Sequence, residues 1–190
     1  MLRIPTSRPT SDIMQLTSPA FAANGLIPAK YTCDGAGVSP PLQISGVPPG
    51  SRALALIVYD PDVPKSIKPD GRYSHWVLWN LTPTISAIEE HRSGGVSENG
   101  RAGYIPPCPP NGEHRYIFQL FALDKDISDA KIYLESDLHR AMHGHIVEQT
   151  ELVGRYTSRT SSLLNLVLPG IVAVALLALG YKIIASRRSA

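Results

Sequence analysis

ALALIVYD, residues 53–60, is the stretch on which the fold turns. The run is apolar almost throughout, with Pro48-Pro49-Gly50 shortly before it and Pro61 directly after. An apolar run of this length, rich in β-formers and bounded by turn residues, predicts a buried strand. Working outward, SHWVLWNL (74–81) predicts a second strand. Strict alternation there places His75, Val77 and Trp79 on one face and Trp76, Leu78 and Asn80 on the other. RYIFQLFAL (115–123) predicts a third, with Tyr116, Phe118 and Leu120 opposite Ile117, Gln119 and Phe121. The loop SGGVSENGRAGYIPPCPPNG (93–112) carries too much glycine and proline for a helix. One short helix is expected near 136–143, with Ser136 as N-cap, Asp137 in the first turn and Gly144 after its end. HIVEQTELVGRY (145–156) reads as a final strand or as a helix end running into one. Strands joined by turn-rich loops, with one late helix, predict a mainly β, antiparallel β-sandwich with one or two short peripheral helices.

The 190 residues suffice for one ordinary domain and an appendage. Apolar residues make up 43% and charged residues 18%, so a core can be buried and global disorder is excluded. Sixteen of the 17 prolines precede residue 111, which excludes a helical bundle. The net charge of +2 misleads, because residues 1–162 carry 15 basic and 16 acidic groups. A balance of −1 there excludes a strongly basic nucleic-acid binder. Cys33 and Cys108 form no CxxC pair, which excludes an ordinary cysteine-rich zinc site. Free thiols are the expectation, with a single bridge left open for an oxidising compartment.

Leu163 to Tyr181 is a run of 19 residues without a charge, close to the length that crosses a bilayer. The expected organisation is a flexible tail (1–15), a globular domain (16–157), a linker (158–162), a transmembrane helix (163–182) and a basic tail (183–190). The N-terminus shows no secretory signal. The expectation is therefore a single-pass membrane protein with its domain on the cytoplasmic side.

Three segments concentrate polar groups at strand ends. In Asp60-Pro61-Asp62-Val63-Pro64, proline on either side of Asp62 holds both carboxylates in place. His75 opens a strand beside Trp76. The stretch from Pro106 to Tyr116 sets four prolines and Gly112 before His114 and Tyr116, which alternation puts on one side with Arg115 on the other. Two histidines, a tyrosine, a carboxylate and rigid backbone suit a small anion pocket. Imidazolium and phenol donate to phosphate-like oxygens, and an aspartate fixes a histidine tautomer. The same set also reads as a two-histidine, one-carboxylate metal site. No GxSxG, HExxH, P-loop or dinucleotide-binding turn occurs, so neither catalysis nor a cofactor is expected. A hydrolase using His75 or His114 as general base would lack an evident nucleophile.

These segments in this order resemble the phosphatidylethanolamine-binding protein family, in its bacterial and archaeal Raf-kinase-inhibitor-like branch. The likeness runs over about residues 16–157. Its further pieces are Ser18-Pro19-Ala20-Phe21, Tyr31-Thr32-Cys33-Asp34-Gly35, Ser39-Pro40-Pro41-Leu42, Cys108-Pro109-Pro110, Ala122-Leu123-Asp124 and Gly144-His145. The resemblance implies a two-sheet sandwich with a small pocket for phosphate or phosphorylated head groups at one end. It implies Asp60, His75, Pro107, His114 and Tyr116 as ligand-binding residues, with Asp62 and Cys108 as supporting loop positions and Tyr73 as a looser match. The implied partners are a phosphoryl-type anion or phospholipid head group, with regulation of a kinase or protease through the pocket rim as the alternative. Pro106 departs from the family's Gly-Pro-Cys-Pro-Pro pattern and puts the loop geometry in question.

Overall fold

The stretch 53–60 forms a strand near the middle of the larger of two antiparallel sheets. The computed structural model describes residues 13–127 and 131–159. Among these, the strands are β1 (Gln15–Thr17), β2 (Leu42–Ser45), β3 (Ala53–Asp60), β4 (Tyr73–Leu81), β5 (Ala87–Ile88), β6 (His114–Leu123) and β7 (Ile146–Tyr156). The smaller sheet has the order β1-β2-β5 and the larger β4-β3-β6-β7.

Alternation along β3 and β6 divides their side chains between two cores. Leu54, Leu56 and Val58 join Phe118 and Leu120 against Leu16, Leu42, Ile44 and Ile88 of the smaller sheet. Ala55, Ile57, Phe121 and Leu123 face the other way, under Leu138 and Met142 of α1 (Glu135–Met142), the one α-helix among the described residues. Burial on both faces explains why ALALIVYD is apolar without a polar alternate. α1 starts one residue before the expected Ser136 cap. Its N-terminus is closed instead by Asp137, whose carboxylate accepts the backbone N–H groups of Tyr133 (3.0 Å) and Leu134 (2.9 Å).

The β3–β4 pairing slips twice, and each slip leaves one extra residue on β4. One lies between the pairs Val58↔Trp76 and Tyr59↔Ser74, so His75 is the bulged residue. The other lies between Leu54↔Leu81 and Leu56↔Leu78 and contains Asn80, at φ 51°. The Asn80 side-chain oxygen accepts the Ile127 N–H at 3.0 Å. Bulges of this kind turn a side chain away from strict alternation. The face expected for His75, shared with Val77 and Trp79, is corrected accordingly. Val77 packs under α1, whereas the His75 ring meets Tyr116 of the inter-sheet core at 5.2 Å.

The loop after β5 returns across β4 through paired backbone bonds between Val77 and Val96, at 2.7 and 3.1 Å. Gly95 makes this approach with φ 77°, and a Cβ there would stand 2.3 Å from the Val77 carbonyl oxygen. Gly95→Ala should cost about 1–2 kcal/mol from the left-handed backbone alone, before the clash is counted. A urea midpoint equal to that of the parent chain would contradict this.

Two expectations are overturned. The fold class included a C-terminal transmembrane helix, but among the described residues no helix is long and apolar enough to cross a membrane. The stretch 163–182 lies outside the described residues. The single-pass localisation loses its support with that helix. The cysteines are also not free thiols. Folding brings their loops together, and Cys33 and Cys108 form a disulfide with Cα atoms 5.4 Å apart. A bridged pair argues against the reducing, cytoplasmic setting expected for the domain.

Candidate functional site

A cavity of about 280 Å³ opens where β3, β4 and β6 meet the proline-rich loop. Its polar groups are Asp60, Tyr73, His75 and Tyr116, and its walls include Val63, Ile67, Ile105, Pro106 and Pro110. Asp60 reaches it because β3 ends there, at Pro61. The Asp60 carboxylate is buried (3% exposed), and its Oδ1 accepts the Asp62 N–H at 2.7 Å, a turn that fixes the side chain. Its Oδ2 lies 2.7 Å from His114 Nδ1. With a carboxylate as acceptor, His114 donates from Nδ1, and the pair is buried on both sides.

His75 is clamped to the loop twice. Its Nδ1–H donates to the Ile105 carbonyl at 2.7 Å, and its own carbonyl accepts the Ile105 N–H at 2.8 Å. The carbonyl fixes the tautomer, so Nε2 is the remaining polar atom of the ring. Burial holds the His75 imidazole below its ordinary range, against the opposing pull of the Ile105 carbonyl and the Asp60 charge. Tyr73 and Tyr116 flank the ring, at centroid distances of 5.1 and 5.2 Å. Tyr116 is fully buried, and its hydroxyl has no hydrogen-bond partner among the described residues. Burial pushes that phenol up, with help from the Asp60 charge, so it stays protonated and able to donate.

Asp60, His75, Tyr116 and Cys108 line the cavity. His114, Pro107 and Asp62 do not. His114 stands behind Asp60 and orients it. Pro107 is buried, with its carbonyl accepting the Cys33 N–H at 3.0 Å. Asp62 turns outward and accepts a two-pronged bond from Arg115, 2.9 Å from Nε and 2.6 Å from Nη2. That bond holds the Asp62 carboxyl below its usual range. It also takes Arg115 away from the cavity, which no lysine or arginine among the described residues lines. Among the described residues no three His, Cys, Asp or Glu side chains converge as metal ligands. Pro106 stands in the wall without closing the cavity, packed beside Gly37, where a Cβ would come 3.3 Å from the proline ring. Ile67 and Ile105 escape sequence reading because single apolar residues in loops carry no period.

Residues 17–157 match the profile of the family described as Phosphatidylethanolamine-binding protein. The chain belongs to the phosphatidylethanolamine-binding protein family. It is 48% identical over 147 residues to a UPF0098 protein of Chlamydia pneumoniae, covering 75% of this chain and 98% of that one. A UPF0098 protein of Methanothermobacter thermautotrophicus is 39% identical over 153 residues, covering 75% and 98%. Among solved structures, a phosphatidylethanolamine-binding protein homologue of Chlamydia trachomatis superposes with a TM-score of 0.75 at 45% identity, covering 78% of this chain and 99% of that one. E. coli YbcL, a member of the same family, superposes with a TM-score of 0.65 at 25% identity, covering 77% and 99%. The cavity therefore sits on the framework that this family shares.

Proposed function

We propose that this family member is a binding module rather than an enzyme, and that its cavity takes a phosphoryl-type anion or a phosphorylated head group. The observation that carries this reading is the Tyr116 hydroxyl, a buried donor beside His75 with no acceptor among the described residues. Leaving such a group unmet costs about 1–3 kcal/mol, and a ligand oxygen would recover it. His75 supplies the second contact through Nε2, accepting from a protonated phosphate oxygen or, once protonated, donating to an ionised one. Asp60 leaves room for an ammonium group on the same ligand. Of the lining groups, Cys108 is tied into a disulfide and Tyr116 stays protonated, so neither a thiolate nor the Tyr116 phenolate stands ready as a nucleophile.

Titration of the full chain with inorganic phosphate and phosphoethanolamine, followed at the His75 and His114 imidazole resonances, tests the reading. Saturable shifts at both rings, lost in Asp60→Ala, support it. No shift at millimolar ligand overturns it.

Binding should also depend on pH. A phosphomonoester such as phosphoethanolamine is a dianion without a phosphoryl proton at pH about 8. The site holds one proton between His75 and that group, so its binding takes up a proton and tightens as pH falls from about 8 to 6. Folding responds in the opposite sense. The folded state holds the His75 pKa below its unfolded value of about 6.5, so its contribution is complete above that value and is lost as pH falls through the window beneath it. Calorimetric titration with phosphoethanolamine at the two ends of the range checks the first effect. An affinity independent of pH would contradict it.

A further inference from the structure

The wall formed by residues 106–110 has an unusual deficit. Four of its five residues are prolines, so Cys108 alone carries an amide N–H. The segment cannot anchor itself through its own donors. It is held from outside, through alternate carbonyls. Ile105 accepts from His75 at 2.7 Å, Pro107 from the Cys33 N–H at 3.0 Å, and Pro109 from the Ser158 hydroxyl at 2.9 Å. The one covalent tie is the Cys33–Cys108 disulfide, which spans 75 residues of sequence. Cys108 lines the cavity, and both cysteines are exposed to solvent. Exposed bridges are the ones that exchange with external thiols, whereas buried ones are inert.

We propose that the Cys33–Cys108 disulfide is a redox latch on the ligand cavity, closed when bridged and released by a dithiol. A thiolate of the dithiol attacks one sulfur, the Cys33–Cys108 bond breaks, and a mixed disulfide forms. The second thiol of the reductant then displaces the protein sulfur. Cys33 and Cys108 leave as thiols having gained two electrons and two protons, and the reductant leaves as its own disulfide. Once released, the proline-rich wall has lost its covalent tie and is held by non-covalent contacts, these three accepted hydrogen bonds among them. The cavity then loses the preorganisation that lets a ligand bind without first ordering the loop.

The effect on affinity rests on the anion reading above, so the test has a readout independent of ligand. Amide exchange is compared in the full chain when oxidised, when reduced with dithiothreitol, and after reoxidation. Cys33 and Ile105 report the wall, and Ile57 and Leu120 report the centre of the larger sheet. Reduction should lower protection at Cys33 and Ile105 about tenfold or more, leave the native amide resonances of Ile57 and Leu120 in place because the sheets do not rearrange, and reverse on reoxidation. Affinity for inorganic phosphate should fall about tenfold with it. Cys33→Ala with Cys108→Ala should behave as permanently reduced. Unchanged exchange at the wall in fully reduced protein overturns the latch, as does displacement of the Ile57 and Leu120 resonances as large as that at the wall, or a loosened wall with unaltered affinity. If neither state binds phosphate, the anion reading fails by itself, and the exchange contrast still decides the latch.

Discussion

Asp60→Ala should destabilise the chain by about 3–5 kcal/mol and abolish phosphate binding. Asp60 is a node rather than a contact. One carboxylate oxygen holds the Asp62 N–H and the other holds His114 Nδ1, each at 2.7 Å, with the Asp60 and His114 side chains both buried. Removing it strands a buried histidine beside a desolvated void, and breaking one half of a buried polar pair costs far more than the pair contributes. The Asp62 turn loosens as well, and with it the loop that carries Val63 and Ile67 into the cavity wall. Urea denaturation of parent and variant measures the first effect, and phosphate titration the second. A variant with parental stability and parental affinity would show that Asp60 is a bystander.

Loss of the Cys33–Cys108 bridge should cost a similar amount. A bridge closing a loop of 75 residues removes roughly 4.5 kcal/mol of chain entropy from the unfolded state. Measured values for native bridges run at about 2–5 kcal/mol. This stabilisation acts on the unfolded ensemble, so the native sheets need no rearrangement when the bridge is cut. That is why a loosened wall and an intact core are compatible in reduced protein. Comparing urea midpoints for the parent and for Cys33→Ala with Cys108→Ala tests the magnitude. A loss under about 1 kcal/mol would mean that the bridge spans loops already fixed by other contacts.

Much of this architecture is legible in the sequence, for identifiable reasons. β3, β4 and β6 are long, apolar and bounded by proline or glycine, so their type and extent follow from composition. His114 and Tyr116 share a side of β6 because that strand pairs with β7 without a slip from His114 to Ala122. β1, β2 and β5 escape notice because strands of three, four and two residues are too short to display a period. His75 is assigned to the wrong face because a bulge is a property of pairing between strands, and nothing within SHWVLWNL marks it. The disulfide is hidden for a related reason, since only the folded sheets bring residues 33 and 108 together. The division of labour within the site is likewise tertiary. Sequence names Asp60, His75, His114 and Tyr116 together, but only the fold separates the groups that face the cavity from His114, which orients one of them.

The binding account stands or falls on Tyr116. Its buried hydroxyl has no hydrogen-bond partner among the described residues, so Tyr116→Phe removes a liability from the fold and a donor from the ligand. The account predicts two effects of opposite sign. Stability should equal or exceed that of the parent chain, because no native hydrogen bond is lost. Affinity for phosphate and phosphoethanolamine, read at the His75 resonance, should fall by roughly 10- to 100-fold, the worth of one hydrogen bond to a charged group. A Tyr116→Phe chain that is as stable as the parent and binds both ligands with undiminished affinity would contradict the account at its centre.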